Sequence, residues 1–211
     1  MLQKIKIVQT ETVRKENRQF ESIFASDKDW QNNACVNWQH DPVEAYVIGY
    51  KDAGDKLAEF VIKNNRGQDT LVYPLVFLYR QYIELRLKEI IREGYLLLEH
   101  KGTFPKHHKI LNLWETAKGI ALEIAKDIEP PPDLSYAEYV ITDFAKIDPD
   151  SFSFRYPTTK KGEITIDRRI KHINIRRLAN HINDLSAYLD GISFEISVCL
   201  DHKFEMDGFL K

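Results

Sequence analysis

The chain has 211 residues, of which 43% are hydrophobic and 29% charged, and its formal net charge is -2. That length supports a sizeable core without metal or disulfide staples, and the near-neutral charge excludes a polycation that coats nucleic acid with its whole surface. Cys35 and Cys199 stand in no metal-like spacing, residues 1–19 hold no apolar core of signal-peptide length, and no run reaches the ~20 apolar residues of a membrane span. These features fit a cytoplasmic protein without a membrane partner, although the sequence leaves pairing of the two cysteines open.

Residues 1–40 are weakly patterned and are expected to form an N-terminal arm, with residues 41–211 as the folded domain. Lys4 to Val8 alternates like a short strand, and aromatic residues follow at Phe20, Phe24, Trp30 and Trp38. They would pack on the domain or meet a partner. Asp41-Pro42 predicts a helix start, with Asp41 as N-cap and Pro42 in the first helical position. Val43, Tyr46, Val47, Tyr50, Leu57, Phe60 and Val61 keep helical spacing up to the turn composition of Asn64-Asn65-Arg66-Gly67.

The longest strongly apolar run, Leu71 to Leu98, predicts the central helix. It carries two apolar stripes, so it needs neighbours on more than one side. Pro74 suits its first turn, and the remaining strip spaces Arg80, Glu84 and Lys88 for pairing of opposite charges. A third helix is expected from about Lys109, ended by Pro130-Pro131-Pro132. A fourth spans Leu134 to Ile147, with Tyr139, Val140, Phe144 and Ile147 inside. After the Asp148-Pro149-Asp150 turn, Ser151 to Pro157 reads as extended and Thr158 to Gly162 as a loop. From Asp167 onward Ile170, Ile173, Leu178, Ile182, Leu185 and Leu189 fit a long amphipathic helix. The same period continues to Leu200, and over Ile192 to Leu200 a helix is preferred to a competing strand.

Three segments, in order, resemble one family. Tyr79 to Lys88 (YRQYIELRLK) is similar to the QAxExxLKAxL helix of HEPN (higher eukaryote and prokaryote nucleotide-binding) domains. His108 to Trp114 is similar to the HDLxxL opening of their next helix. Phe154-Arg155-Tyr156-Pro157 resembles the RYP segment before their last helix. The resemblance covers roughly residues 41–200. It implies an all-α, up-and-down HEPN-like bundle of about five helices, usually homodimeric. Some members are metal-independent ribonucleases of toxin–antitoxin and phage-defence systems. Others bind nucleotides, RNA or a partner protein, often a nucleotidyltransferase. Phosphate-loop, dinucleotide-fold and nucleophile-elbow motifs are absent from the sequence, and no cofactor is expected.

The nuclease class carries an Arg and then a His four to six residues on, and Arg176 and His181 match that spacing. A His can exchange a proton with a ribose 2′-hydroxyl or the leaving oxygen, and an Arg can hold the phosphate. Within a helix, however, residues five apart diverge, and Arg177 is better aligned with His181. A helix beginning at Asp167 also places this motif well inside it, where His181 would pack on a flank or face solvent.

Arg155 is expected either to contact phosphate or to fold back onto Glu84. Between Lys160 and Arg177, seven basic residues (Lys160, Lys161, Arg168, Arg169, Lys171, Arg176 and Arg177) face only Glu163 and Asp167. This asymmetry reads as a phosphate-backbone surface or as a solvated helix face suited to an acidic partner. His100, His107 and His108 lack the cluster that would complete a metal site. The leading expectation is a non-catalytic module that binds RNA, nucleotide or protein. The alternative is a metal-independent endoribonuclease, and a third reading is a structural subunit with an apolar patch near the arm.

Overall fold

The computed structural model describes residues 22–37, 42–102 and 104–209. By contacts the chain divides into two units, Met1–His40 and Asp41–Lys211. In the first unit a short 3-10 turn spans Trp30–Asn32, and Ile23, Phe24 and Trp30 are exposed. The expected strand at Lys4 to Val8, Phe20, Trp38 and the Asp41 cap lie outside the described residues.

Among its described residues the second unit is an all-α bundle of five helices: α1 (Val43–Asn64), α2 (Gln68–Leu97), α3 (Ile110–Ile124), α4 (Ser135–Ile147) and α5 (Ile175–Phe209). Helix α2 packs against α1, α3 and α5, while α4 bridges α3 and α5. This is the central position that two apolar stripes require. Leu75, Tyr79, Ile83, Leu87, Ile90 and Ile91 of α2 are fully buried. Close approach of α3 depends on Gly94, where an added Cβ would fall 2.3 Å from Ile120 Cγ2.

Local chemistry sets the helix ends. Asn65 takes a left-handed conformation (φ 49°) and closes α1 by donating its N–H to Val61 O at 3.0 Å. Gly67 (φ 81°) then starts α2 at Gln68, earlier than the apolar run indicated. Pro74 consequently lies inside the helix rather than in its first turn. In α1, Tyr46 and Phe60 point outward, and Gly54 and Ala58 occupy the inner face instead. In α4 the inner face is Ala137, Val140, Ile141 and Phe144, so Tyr139 belongs to the outer rim at 52% exposure.

The largest departures lie between α4 and α5. Ser151 to Pro157 is turned rather than extended: Asp148 Oδ1 accepts the N–H groups of Phe152 (2.7 Å) and Ser153 (3.0 Å). The N–H groups of Arg155 and Tyr156 return to Phe152 O. The fifth helix begins at Ile175, not near Asp167, because Asn174 caps it: Asn174 Oδ1 accepts the Arg177 N–H at 2.9 Å. From there α5 runs unbroken through Gly191 to Phe209, which settles the helix-or-strand choice at residues 192–200 in favour of helix. Only one isolated bridge, Thr158 to Ile164, occurs among the described residues, and none of their helices is long and apolar enough to cross a membrane.

The polar strip of α2 is buried as fully as its apolar stripes. Arg80 pairs with Glu84 at 3.2 Å and donates to three backbone carbonyls, those of Asp148, His108 and Pro149, at 3.0, 2.6 and 3.1 Å. Glu84 Oε1 takes Lys88 Nζ at 2.9 Å and lies 2.7 Å from His108 Nδ1. Burial alone would push the Glu84 carboxyl up, but Lys88, His108 and Arg80 outweigh it and hold the carboxyl below its ordinary range. This cluster fastens the loops before α3 and after α4 to the central helix.

A second cluster surrounds Arg86, which meets Glu44 (2.9 Å), Glu89 (2.5 Å) and Asp190 (3.1 Å) and so ties α1, α2 and α5 together. Three carboxylates around one guanidinium leave negative charge uncompensated. Burial, helped by Glu44, accordingly pushes the Glu89 carboxyl up to about 8 despite Arg86.

Candidate functional site

Residues 148–174 and the first turns of α5 lie against α2 and α4 and form two adjoining hollows. The first is an open groove of about 700 Å³ that includes Arg155, Arg168 and Lys171 together with Tyr73 and Tyr156. The second is a cleft of about 300 Å³ with an aliphatic and phenylalanine floor, whose rim carries Tyr139, Asp143, Arg177 and His181. Phe154 and Ile170 line both.

Arg155 does not fold back onto Glu84, because Arg80 of the same helix already occupies that carboxylate from within the core. Instead Arg155 Nε donates to Ser151 O, and its guanidinium lies 5.8 Å from the ring centres of both Phe77 and Tyr156. These cation–π contacts help hold the guanidinium of the exposed Arg155 beside the two rings. The loop beneath it is braced by Thr165, whose hydroxyl meets Ser153 O (3.0 Å) and Tyr156 O (2.6 Å).

The basic residues from Lys160 to Lys171 stand on this loop, not on a helix face, since α5 starts later. They are unequal. Arg168 and Lys171 line the groove. Arg169 is committed to Asp167 by a two-pronged contact at 2.6 and 3.1 Å, and that contact pulls the Asp167 carboxyl down to about 2. Lys160 and Lys161 are exposed beyond the groove lining.

The later helix start also changes the Arg–His motif. Arg176 and Arg177 stand in the first turn of α5, directly after a loop, rather than deep inside a helix. The two arginines part company there. Arg176 turns toward the α1 side, into a hollow with Asp52, Asp55 and Glu59, whereas Arg177 shares the cleft with His181. The candidate pair is therefore Arg177 and His181, one turn apart, as helical geometry favours.

His181 has partners that its spacing could not reveal. Tyr136 Oη lies 2.8 Å from His181 Nδ1 and donates to Asp184 Oδ2 at 3.1 Å. The Tyr136 ring stacks on both His181 and Tyr188, at centroid distances of 6.1 and 5.7 Å, and Tyr139 meets His181 edge-on at 6.2 Å. In sequence Tyr136, Tyr139 and Asp143 belong to the fourth helix. Their spacing of three and four residues marks one helix face, but nothing local indicates that this face meets His181.

Of the remaining histidines, His108 is engaged by Glu84 and His100 by Glu123 at 3.2 Å. Among the described residues no group of three His, Cys, Asp or Glu side chains is placed to hold a metal ion. Cys35 and Cys199 are free thiols. Compared with models of protein families, with curated proteins and with solved structures, the chain finds no match in any of the three.

Proposed function

We propose that the bundle is a binding module for single-stranded RNA or a nucleotide, with the 151–171 loop as its contact surface. One observation carries the reading: Arg155, Arg168 and Lys171 share a groove with Tyr73 and Tyr156, and that groove shares a wall with the Arg177–His181 cleft. Cations that track a phosphate backbone, interleaved with rings on which bases stack, are what a single strand requires. Glu84 is taken by Arg80 and Asp167 by Arg169, so Arg155, Arg168 and Lys171 keep their charge available to phosphate. The ordered resemblance of three segments to HEPN domains points the same way. With it come a homodimer and a defence or toxin–antitoxin setting as parts of this proposal. A protein partner with an acidic face is the competing occupant of the same groove.

The test is fluorescence anisotropy with labelled single-stranded RNA across a salt series, beside the triple variant Arg155→Ala, Arg168→Ala, Lys171→Ala. Salt-sensitive binding that the triple variant loses supports the reading. Absence of binding by a folded wild-type protein overturns it.

A second reading is favoured by the placement of Arg177 and His181 in one cleft at the start of α5. In metal-independent cleavage the ribose 2′-oxygen attacks the adjacent phosphorus and gives its proton to His181. The bond to the 5′-oxygen breaks and that oxygen takes a proton back from the imidazolium. The products are a 2′,3′-cyclic phosphate and a 5′-hydroxyl. Arg177 would hold the phosphate oxygens as their charge grows.

A further inference from the structure

Tyr136 stands between a carboxylate and an imidazole, and its hydroxyl has a single proton. Asp184 Oδ2, at 3.1 Å, can only accept, so the tyrosine proton belongs there. The tyrosine oxygen then presents a lone pair to His181 Nδ1 at 2.8 Å, and a short contact between two lone pairs is repulsive. The contact is attractive only if Nδ1 carries hydrogen and donates. The reverse arrangement, with Tyr136 donating to Nδ1, would set the phenol oxygen against the Asp184 carboxylate with no proton between them. Stacking of Tyr136 on Tyr188 and on His181 fixes the ring that carries the hydroxyl. Burial and Asp184 also raise the Tyr136 phenol, which keeps its proton on.

We propose that Tyr136 and Asp184 are positioning residues that hold neutral His181 as the Nδ1–H tautomer, leaving Nε2 as a proton acceptor for a ligand in the cleft. The histidine side chain in water prefers the opposite tautomer, with hydrogen on Nε2, so the arrangement is a departure that the protein imposes. Nε2 has no hydrogen bond among the described residues, and the ring lines the cleft that Arg177 also lines. The use of Nε2 as the base in cleavage rests on the second reading above, whereas the tautomer itself does not.

The tautomer is read directly by nitrogen-15 NMR of histidine-labelled full-length protein, in buffer near pH 8.5, where imidazoles are neutral in the main. His181→Ala assigns the resonance. The expected result is a pyrrole-like Nδ1 and a pyridine-like Nε2 in wild type. Tyr136→Phe should return the ring to the Nε2–H form. Asp184→Asn should do the same, because the amide can donate to the tyrosine oxygen and turn its proton toward Nδ1. An Nε2–H ring in wild type, or an unchanged tautomer in both variants, overturns the proposal. RNA incubated with wild type in EDTA separates the two ideas. An intact RNA beside an Nδ1–H ring removes the cleavage reading alone. Cut RNA beside an Nε2–H ring removes the positioning proposal alone.

Discussion

Arg80 and Glu84 form an ion pair 3.2 Å long whose side chains are 0% and 1% exposed, one turn apart on the central helix. Two charges in a core tolerate that setting only when each is fully matched. Arg80 is matched by carbonyls of the loops before α3 and after α4, and Glu84 by Lys88 and His108. The pair is thus the point at which the loop that carries Arg155 is joined to the core.

Removing one partner leaves the other charged and buried. Glu84→Leu is expected to destabilise the domain by about 3–5 kcal/mol, measured by urea unfolding. Arg80→Met should cost a similar amount and should also loosen the loop after α4, seen as faster amide exchange at Phe152 and Ser153. A loss under 1 kcal/mol in both variants would show that the pair is not matched as described.

Two buried carboxylates of α2 should respond to pH in opposite senses. Glu84 is depressed below its ordinary 4.5, so its contribution is present above that value and is lost as pH falls through the depressed one. Glu89 is raised from 4.5 to about 8, so its contribution is present below 4.5 and is lost as pH rises through about 8. The difference in stability between wild type and Glu89→Gln, from unfolding curves at a series of pH values, should fall across that interval. A flat difference would mean that Arg86 keeps Glu89 ionised throughout.

Close packing of α2 on α3 gives a steric prediction. At Gly94 a methyl group would meet the β-branched, buried Ile120, which has little room to yield. Gly94→Ala is expected to cost about 1–3 kcal/mol, although alanine is the better helix former. Gly49→Ala, where a Cβ meets nothing within 4 Å, should be neutral or stabilising. Paired thermal melts of the two variants make the comparison.

For RNA binding, the basic residues should not be interchangeable. Each of Arg155→Ala, Arg168→Ala and Lys171→Ala is expected to weaken binding and lower the salt slope by about 0.7 per phosphate contact removed. Arg169→Ala should do less, because Asp167 already holds that guanidinium. Equal effects at all four positions would indicate a diffuse charge effect rather than a groove.

Should RNA be cut in EDTA, His181→Ala is expected to reduce the rate by about 100- to 10,000-fold. Arg177→Ala should fall with it, and Arg176→Ala should retain most activity, since Arg176 faces the acidic hollow beside α1. Greater loss at Arg176 than at Arg177 would contradict the assignment of the cleft.

The sequence by itself determined the all-α class, the central place of α2 and the approximate extent of the helices. Those depend on apolar spacing and on turn residues, which act over a few positions along the chain. It also singled out Arg155, Arg176, Arg177 and His181, without choosing between the two neighbouring arginines. Only the tertiary structure decided their surroundings. The polar strip of Arg80, Glu84 and Lys88 resembles a solvated face until the loops before α3 and after α4 are seen to close over it. The start of α5 was hidden because Ile170 and Ile173 keep helical phase, while the Asn174 cap that sets the boundary is one residue among many of its type. Tyr136 reaches His181 and Asp184 from another helix, 45 and 48 residues away in sequence. Contacts of that kind depend on how helices pack, and no local pattern in a single chain encodes them.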